Sequence, residues 1–243
     1  MAKLVQKSGY IKSGKASGYM RYIATREGVE KLAGNGAVTK GQRELIQKLL
    51  HDFPDAVELF EYEDYCKTPT LGTASAFITM ALDANLHEID SESGYMQYIA
   101  TRPRVQKRGA HGLFSSATAV DLASAMSELE AHEGNVWTII YSLRREDADR
   151  LEYDNADAWR ALLMENAPTL AKSMKISLDN FHWYAAFHDE GHHPHIHMMV
   201  WSDDPKEGFL TKDGIAAMRS KLTNAIFRDE MQQIYERKDV AYS

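Results

Sequence analysis

The sequence of 243 residues predicts a single α+β domain, in which an antiparallel β-sheet forms the core and helices pack on one face. Three observations support this prediction. Short runs of β-branched and aromatic residues alternate with longer amphipathic segments. Hydrophobic residues make up 44% of the chain and charged residues 26%, which is typical of a globular protein. No stretch rich in Pro, Gly or Ser divides the sequence, so we expect one domain over residues 1–243.

Four segments predict the strands of the sheet. Residues 135–143 (NVWTIIYSL) are short, β-branched and aromatic, which indicates a buried strand. Residues 181–188 and 195–202 predict two further strands joined by a six-residue turn, in which Pro194 is tolerated because it begins the second strand. Residues 3–12 show short alternation and predict a fourth strand.

Helices are predicted where apolar residues recur at helical spacing or where a capping pattern precedes them. Thr39 and Gln42 have the spacing of a capping box, which predicts that a helix begins just after Thr39. Pro168 should break the helix in which it lies. The other predicted helices span residues 17–32, 73–86, 116–130, 154–178 and 211–237.

Charge is distributed unevenly along the sequence. The net charge of −7 and the pI near 5.8 argue, taken alone, against a nucleic-acid partner. Residues 1–26, however, contain six lysines and arginines and no acidic residue, and a second basic run spans residues 102–108. Local basic patches attract phosphates even on an acidic protein, although such residues can also simply solvate a surface.

Cysteine content and hydropathy indicate in which cellular compartment the protein works. The single cysteine, Cys66, excludes an intrachain disulfide. No apolar run approaches the roughly 18 residues that span a bilayer, and the N-terminus lacks the apolar core of a signal peptide. We therefore expect a cytoplasmic protein with no membrane partner.

A ten-residue segment occurs twice. Residues 17–26 read SGYMRYIATR and residues 93–102 read SGYMQYIATR, so nine of ten positions are identical. Each copy places an arginine four residues after a tyrosine, in the pairs Tyr22–Arg26 and Tyr98–Arg102. On a helix this spacing sets the guanidinium beside the phenol, where it could bind a phosphate and favour the phenolate. The alternative interpretation is that these tyrosines are ordinary packing residues covered by arginine.

The histidine cluster in residues 188–197 (HDEGHHPHIH) predicts a metal site. Alternate residues of a strand share a face, so a hairpin would bring together the imidazoles of His188, His195 and His197. Three neutral imidazoles bind Mn, Zn, Ni or Cu well and Mg more weakly, and they leave coordination positions open for a substrate oxygen. A structural histidine patch is the alternative. Asp189, Glu190, His192 and His193 fall in the turn, where they could be alternative ligands or could orient the ligands.

With these motifs, the sequence resembles the mobilisation relaxases of the HUH endonuclease superfamily, most closely those of the MobP/MobL type. The residues 188–197 followed by Met-Met-Val match the family's H-x6-H-x-H pattern, and Tyr22 in RYIATREGVEKLAG matches its N-terminal motif. The resemblance covers most of the chain. It implies an HUH-endonuclease-like fold, and it also implies nicking and joining of one DNA strand at an origin of transfer of a mobile element.

The resemblance also implies a mechanism and partners. A divalent metal, Mn or Mg, held by His188, His195 and His197 would polarise the scissile phosphate while Tyr22 attacks it, giving a 5′-phosphotyrosyl DNA and a free 3′-OH. The implied partners are single-stranded DNA at an origin hairpin, accessory mobilisation proteins and a coupling protein. The residues expected to bind the DNA are Lys12, Arg21, Arg26 and Arg102.

Two departures from the family pattern and two competing functions remain open at this stage. The repeat makes Tyr98 a rival nucleophile. Such relaxases usually continue into a further region, so the sequence leaves open that this domain is the N-terminal part of a longer protein.

The residues from His193 to His197 also fit the pattern of a histidine-triad nucleotide hydrolase that uses His195 as nucleophile and no metal. A non-catalytic DNA-binding module with a residual metal site is the third interpretation.

Overall fold

The structure is a computed structural model, which describes residues 3–10, 35–85, 92–101, 105–107 and 109–228. Within these residues it contains five strands in one antiparallel sheet and eight α-helices. The predicted α+β class and the antiparallel core are therefore confirmed. The predicted helix over residues 17–32 lies outside the described residues.

The sheet is built around a long hairpin. Its strands are β1 (Val5–Tyr10), β2 (Leu113–Phe114), β3 (Trp137–Ser142), β4 (Phe181–His188) and β5 (His195–Ser202). They lie in the order β1-β3-β5-β4-β2, and each neighbouring pair is antiparallel. β5 is central, and all of its residues are buried. The four predicted strands are confirmed, while the two-residue β2 had no signal in the sequence.

Five helices cover one face of the sheet. They are α1 (Lys40–Asp52), α2 (Phe60–Lys67), α3 (Leu71–Ala84), α4 (Glu92–Thr101) and α5 (Leu122–Glu130). Their apolar residues form one core cluster with Ile140, Ala186 and Met199 of the sheet. Thr39 caps α1 in a complete capping box with Gln42, as predicted.

Three helices cover the opposite face. They are α6 (Arg145–Arg150), α7 (Ala156–Ser173) and α8 (Lys212–Ile226), and residues of each belong to a second core cluster with Ile139, Tyr141 and Ile196 of the sheet. Our prediction of helices on one face only was wrong in this respect. The sheet residues of the two clusters alternate along β3, so both faces of the sheet are apolar and both must be covered.

Pro168 does not break the helix in which it lies. Helix α7 runs continuously through Pro168, contrary to our prediction, and it ends at Ser173. The proline ring is exposed, while Leu163 and Leu170 on either side are fully buried. Burial of these leucines offsets the backbone hydrogen bond that proline cannot donate.

The start of another helix differs from the prediction. Helix α5 begins at Leu122 rather than near residue 116, because the side chain of Asp121 accepts a hydrogen bond from the backbone of Ser124 at 2.8 Å and caps the helix there. Helix α4 ends at Thr101, as expected from Pro103 two residues later.

None of the helices in the described ranges has the length and hydropathy that a bilayer crossing requires.

Candidate active site

The hairpin of β4 and β5 brings three buried histidines together. His188 pairs with His195 across the two strands, and His197 lies opposite Ala186, two residues before His188. Side chains two residues apart on a strand share a face, so all three rings point to the side covered by α1 to α5. One ring nitrogen from each can be chosen so that all three lie within 4.8 Å of one another, and each residue is at most 1% exposed. The predicted convergence of His188, His195 and His197 is confirmed.

Backbone carbonyls orient two of these rings. Nε2 of His188 lies 2.9 Å from the carbonyl oxygen of Ile99, and Nδ1 of His195 lies 3.0 Å from that of His193. A ring nitrogen that donates to a carbonyl leaves the other nitrogen as the metal ligand. The geometry therefore presents Nδ1 of His188 and Nε2 of His195 to the centre of the cluster.

The second copy of the repeated segment packs against this cluster. Helix α4 contains most of that copy, and Ile99, whose carbonyl faces His188, belongs to it. After the helix, Val105 bridges to His188, and the backbone of Gln106 donates to the carbonyl of Phe187 at 2.9 Å. Ile99 is itself fully buried. The second copy is thus part of the wall of the site.

His193 lies in the turn, as predicted, and its ring is buried. Its Nε2 is 2.7 Å from Oδ2 of Asp64 in α2, and its ring stacks on Phe60 with centroids 5.2 Å apart. Burial lowers the pKa of His193, although the Asp64 carboxylate opposes this effect. Burial would by itself raise the pKa of Asp64, but His193 and Arg144 outweigh it, so that pKa is lowered. His192, by contrast, is exposed.

Arg145 binds the turn between the two strands. Its guanidinium donates to the carboxylate of Asp189, to the carbonyl of Glu190 at 2.8 Å and to the carbonyl of Gly191 at 3.0 Å. The backbone of Arg145 also donates to the carbonyl of His192 at 2.8 Å. Arg145 therefore holds the shape of the segment that joins His188 to His195.

A buried carboxyl, that of Glu61, lies in the same region. Burial raises the pKa of Glu61 to about 8, and the negative charges of Asp64 and Glu190 raise it further against the effects of a backbone hydrogen bond and of Arg144. Glu61 is therefore mainly protonated at neutral pH. The sequence did not indicate this residue, because its burial depends on α2, which we did not predict.

The structure describes the remaining predicted site residues only in part or not at all. Tyr98 lies in α4 next to Ile99, so its backbone is adjacent to the histidine cluster, while its side chain is not among those described. The predicted nucleophile Tyr22 lies outside the described residues, as do the predicted DNA-binding residues Lys12, Arg21, Arg26 and Arg102.

The donor set fits a divalent transition metal. Three imidazoles from two adjacent strands resemble the catalytic sites in which three protein ligands leave a position open. Imidazole nitrogen suits Mn and the later first-row metals better than Mg. The buried histidine cluster could therefore hold a metal ion, as the sequence predicted.

Comparison with known proteins agrees with this geometry. The family model of the MobL relaxases matches residues 1–242, which is essentially the whole chain. No curated protein and no solved structure gives a significant match. A match of this extent favours the relaxase over the other two functions that the sequence alone left open. The chain belongs to the MobL relaxase family and is accordingly a DNA-nicking enzyme.

Proposed function

We propose that this protein nicks and rejoins one DNA strand at an origin of transfer, and that a tyrosine and a metal bound by the histidine cluster carry out the reaction. The observation that carries this proposal is the convergence of three buried imidazole nitrogens within 4.8 Å in a chain of the MobL relaxase family. Phosphoryl transfer from DNA needs positive charge at the scissile phosphate, and a cation held by the three imidazoles on this face of the sheet would supply it.

His188, His195 and His197 would hold the metal. A bound divalent ion, Mn or Mg, supplies Lewis-acid stabilisation of the negative charge that develops on the phosphate. The chain's own contribution is to keep two of the three rings, those of His188 and His195, in place through the carbonyls of Ile99 and His193. Ligands held in this way need little rearrangement when the metal and the phosphate bind.

Tyr22 is the proposed nucleophile. Attack by its phenolate oxygen on the phosphorus would form a 5′-phosphotyrosyl bond and break the bond to the 3′ oxygen, which leaves with the electron pair and takes up a proton to become the 3′-OH. The covalent link preserves the energy of the phosphodiester, so the reverse attack by the 3′-OH reseals the strand. Arg26, four residues further on, would help to ionise the phenol, whose ordinary pKa is near 10.

Tyr98 is the alternative nucleophile. It lies in the second copy of the repeat, and the carbonyl of the next residue, Ile99, is 2.9 Å from Nε2 of His188. This contact places the backbone of Tyr98 beside the proposed metal site. In that case Arg102 would take the role proposed for Arg26.

The proposed substrate is single-stranded DNA at an origin hairpin. The basic residues Lys12, Arg21, Arg26 and Arg102 would neutralise its phosphates, while accessory mobilisation proteins and a coupling protein would present and receive the DNA. The uneven charge of the chain supports this assignment, because its first 26 residues are basic although the whole protein is acidic. We expect the reaction to take place in the cytoplasm.

Nicking of plasmid DNA tests the proposal. A supercoiled plasmid that carries the DNA flanking the protein's own gene is incubated with the protein and Mn²⁺, with and without chelator. We expect open circles with protein attached to the 5′ end of the nick and a 3′ end that a polymerase can extend. Metal-independent nicking, or a free 5′-OH that a kinase can label, would refute the proposed chemistry.

A further inference from the structure

We propose that Asp64 and His193 are positioning residues, which hold the metal-binding His195 in the orientation needed for coordination. This inference rests on the proposed function, because it assumes that the histidine cluster binds a metal. Neither residue is a proposed ligand. Both act through contacts that the structure shows between helix α2, the β4–β5 turn and the first residue of β5.

The first contact joins His193 to His195 through the backbone. The carbonyl oxygen of His193 lies 3.0 Å from Nδ1 of His195, in a wholly buried hydrogen bond. This carbonyl fixes the proton on Nδ1 and therefore turns Nε2 toward the cluster. Any rotation of the His193 peptide would remove the acceptor and allow the imidazole of His195 to turn.

The second contact holds the side chain of His193, and with it the peptide. Nε2 of His193 lies 2.7 Å from Oδ2 of Asp64, and its ring stacks on Phe60 at an interplanar angle of 21°. Both partners belong to α2, which lies far from the turn in sequence but against it in space. Pro194 restricts the next residue of the turn. The peptide group between His193 and Pro194 is therefore held by the side-chain contacts of His193 on one side and by the proline ring on the other.

The third contact fixes Asp64 itself. Its Oδ1 accepts a hydrogen bond from Arg144 at 3.2 Å, and the Arg144 guanidinium lies over the Phe60 ring, 4.6 Å from the centroid. Arg144 directly follows Leu143, whose backbone donates to the carbonyl of Pro194 at 3.2 Å. The end of β3, helix α2 and the turn thus close around His193. A chain of contacts runs from Arg144 through Asp64 and His193 to His195.

This arrangement resembles the carboxylate–histidine pairs that orient metal ligands, but here one peptide group separates the pair from the ligand. A simple packing role would require only that His193 fill space beside Phe60. A positioning role predicts in addition that breaking the Asp64–His193 hydrogen bond weakens metal binding and changes the ligand field, even when the fold is intact.

Cobalt binding to the full chain tests the inference. Co²⁺ is titrated into the unmodified protein and into Asp64→Ala, Asp64→Asn, His193→Leu and the matched control His192→Leu, which removes the exposed neighbouring imidazole. Affinity and the visible absorption bands of the bound Co²⁺ are recorded, and circular dichroism without metal checks the fold. We expect about tenfold weaker binding with altered bands for Asp64→Ala and His193→Leu. The control should bind as the unmodified protein does.

The Asp64→Asn variant keeps the test decisive if Asp64→Ala does not fold. Its amide oxygen can still accept from His193, so we expect a smaller loss of affinity in the same direction. Unchanged affinity and bands in Asp64→Asn and His193→Leu would overturn the positioning role and leave the proposed nicking activity standing. If the unmodified chain binds no Co²⁺, the proposed metal centre is wrong, and the positioning role falls with it.

Discussion

Nε2 of His188 lies 2.9 Å from the carbonyl oxygen of Ile99, so a hydrogen bond ties the second copy of the repeat to the proposed metal centre. The bond is buried and joins the last turn of α4 to the end of β4. It assigns a structural role to a segment in which the sequence indicated a rival nucleophile, Tyr98, and a DNA-binding residue, Arg102. The second copy therefore helps to build the site, whichever copy supplies the attacking tyrosine.

This hydrogen bond predicts which nitrogen of His188 binds the metal. In His188→Asn the amide oxygen takes a position close to that of Nδ1, whereas in His188→Gln the amide reaches the position of Nε2 and can still contact Ile99. We expect Co²⁺ to bind the Asn variant weakly and the Gln variant more weakly still, in equilibrium titrations. Tighter binding by the Gln variant would contradict coordination through Nδ1.

Removal of one ligand should abolish metal-dependent stabilisation. A ligand that binds only the folded state raises its stability by RT ln(1 + [L]/Kd), about 2.7 kcal/mol at a hundredfold excess over Kd. We expect Mn²⁺ to raise the thermal midpoint of the unmodified protein and to leave that of His197→Ala unchanged. An equal shift in both proteins would show that Mn²⁺ binds elsewhere.

Replacement of Glu61 should remove a pH-dependent loss of stability. The pKa of Glu61 is raised from 4.5 to about 8 in the folded chain, so its contribution to stability is fully present below pH 4.5 and is lost as the pH rises toward 8. Each unit of this shift corresponds to about 1.4 kcal/mol. We expect Glu61→Gln to gain stability relative to the unmodified protein between pH 5 and 8, in denaturant unfolding. A difference that does not vary with pH would refute the raised pKa.

The hydrogen bonds of Arg145 to the turn predict a specific role for its guanidinium. Lysine keeps the positive charge but cannot reach Asp189, Glu190 and Gly191 together. Because Arg145 is partly exposed, we expect Arg145→Lys to lower the free energy of unfolding by only about 1 kcal/mol and to weaken Co²⁺ binding. Arg150→Lys, which changes an exposed arginine of the same helix, is the matched control and should affect neither quantity. Equal effects of the two substitutions would argue against this role.

The convergence of the three histidines could be predicted from the sequence because it depends on local rules. Alternation within β4 and β5 and a short turn suffice to bring His188 to His195, and no other element is needed. The capping box at Thr39 and the end of α4 before Pro103 are local in the same sense. Each follows from residues that lie within a few positions of one another.

The surroundings of the three histidines could not be predicted, because they depend on contacts between distant segments. Burial of His193 requires Asp64 and Phe60, and the short helix α2 that carries them shows little helical periodicity. We failed to predict the helices on the second face of the sheet for a different reason. The apolar residues opposite the histidines in β5, among them Ile196 and Met198, already indicated that this face is buried.

The attachment point of DNA tests the central claim most directly. The protein is incubated with single-stranded oligonucleotides from the DNA that flanks its gene, with Mn²⁺ or with chelator, and the denaturation-resistant adduct is digested and analysed by mass spectrometry. The account predicts a nucleotide on the peptide that contains Tyr22, formed only with metal and absent from Tyr22→Phe and His197→Ala. A nucleotide on Tyr98 would transfer the role of nucleophile to the second copy. An adduct on neither tyrosine, or none under any metal, would contradict the account.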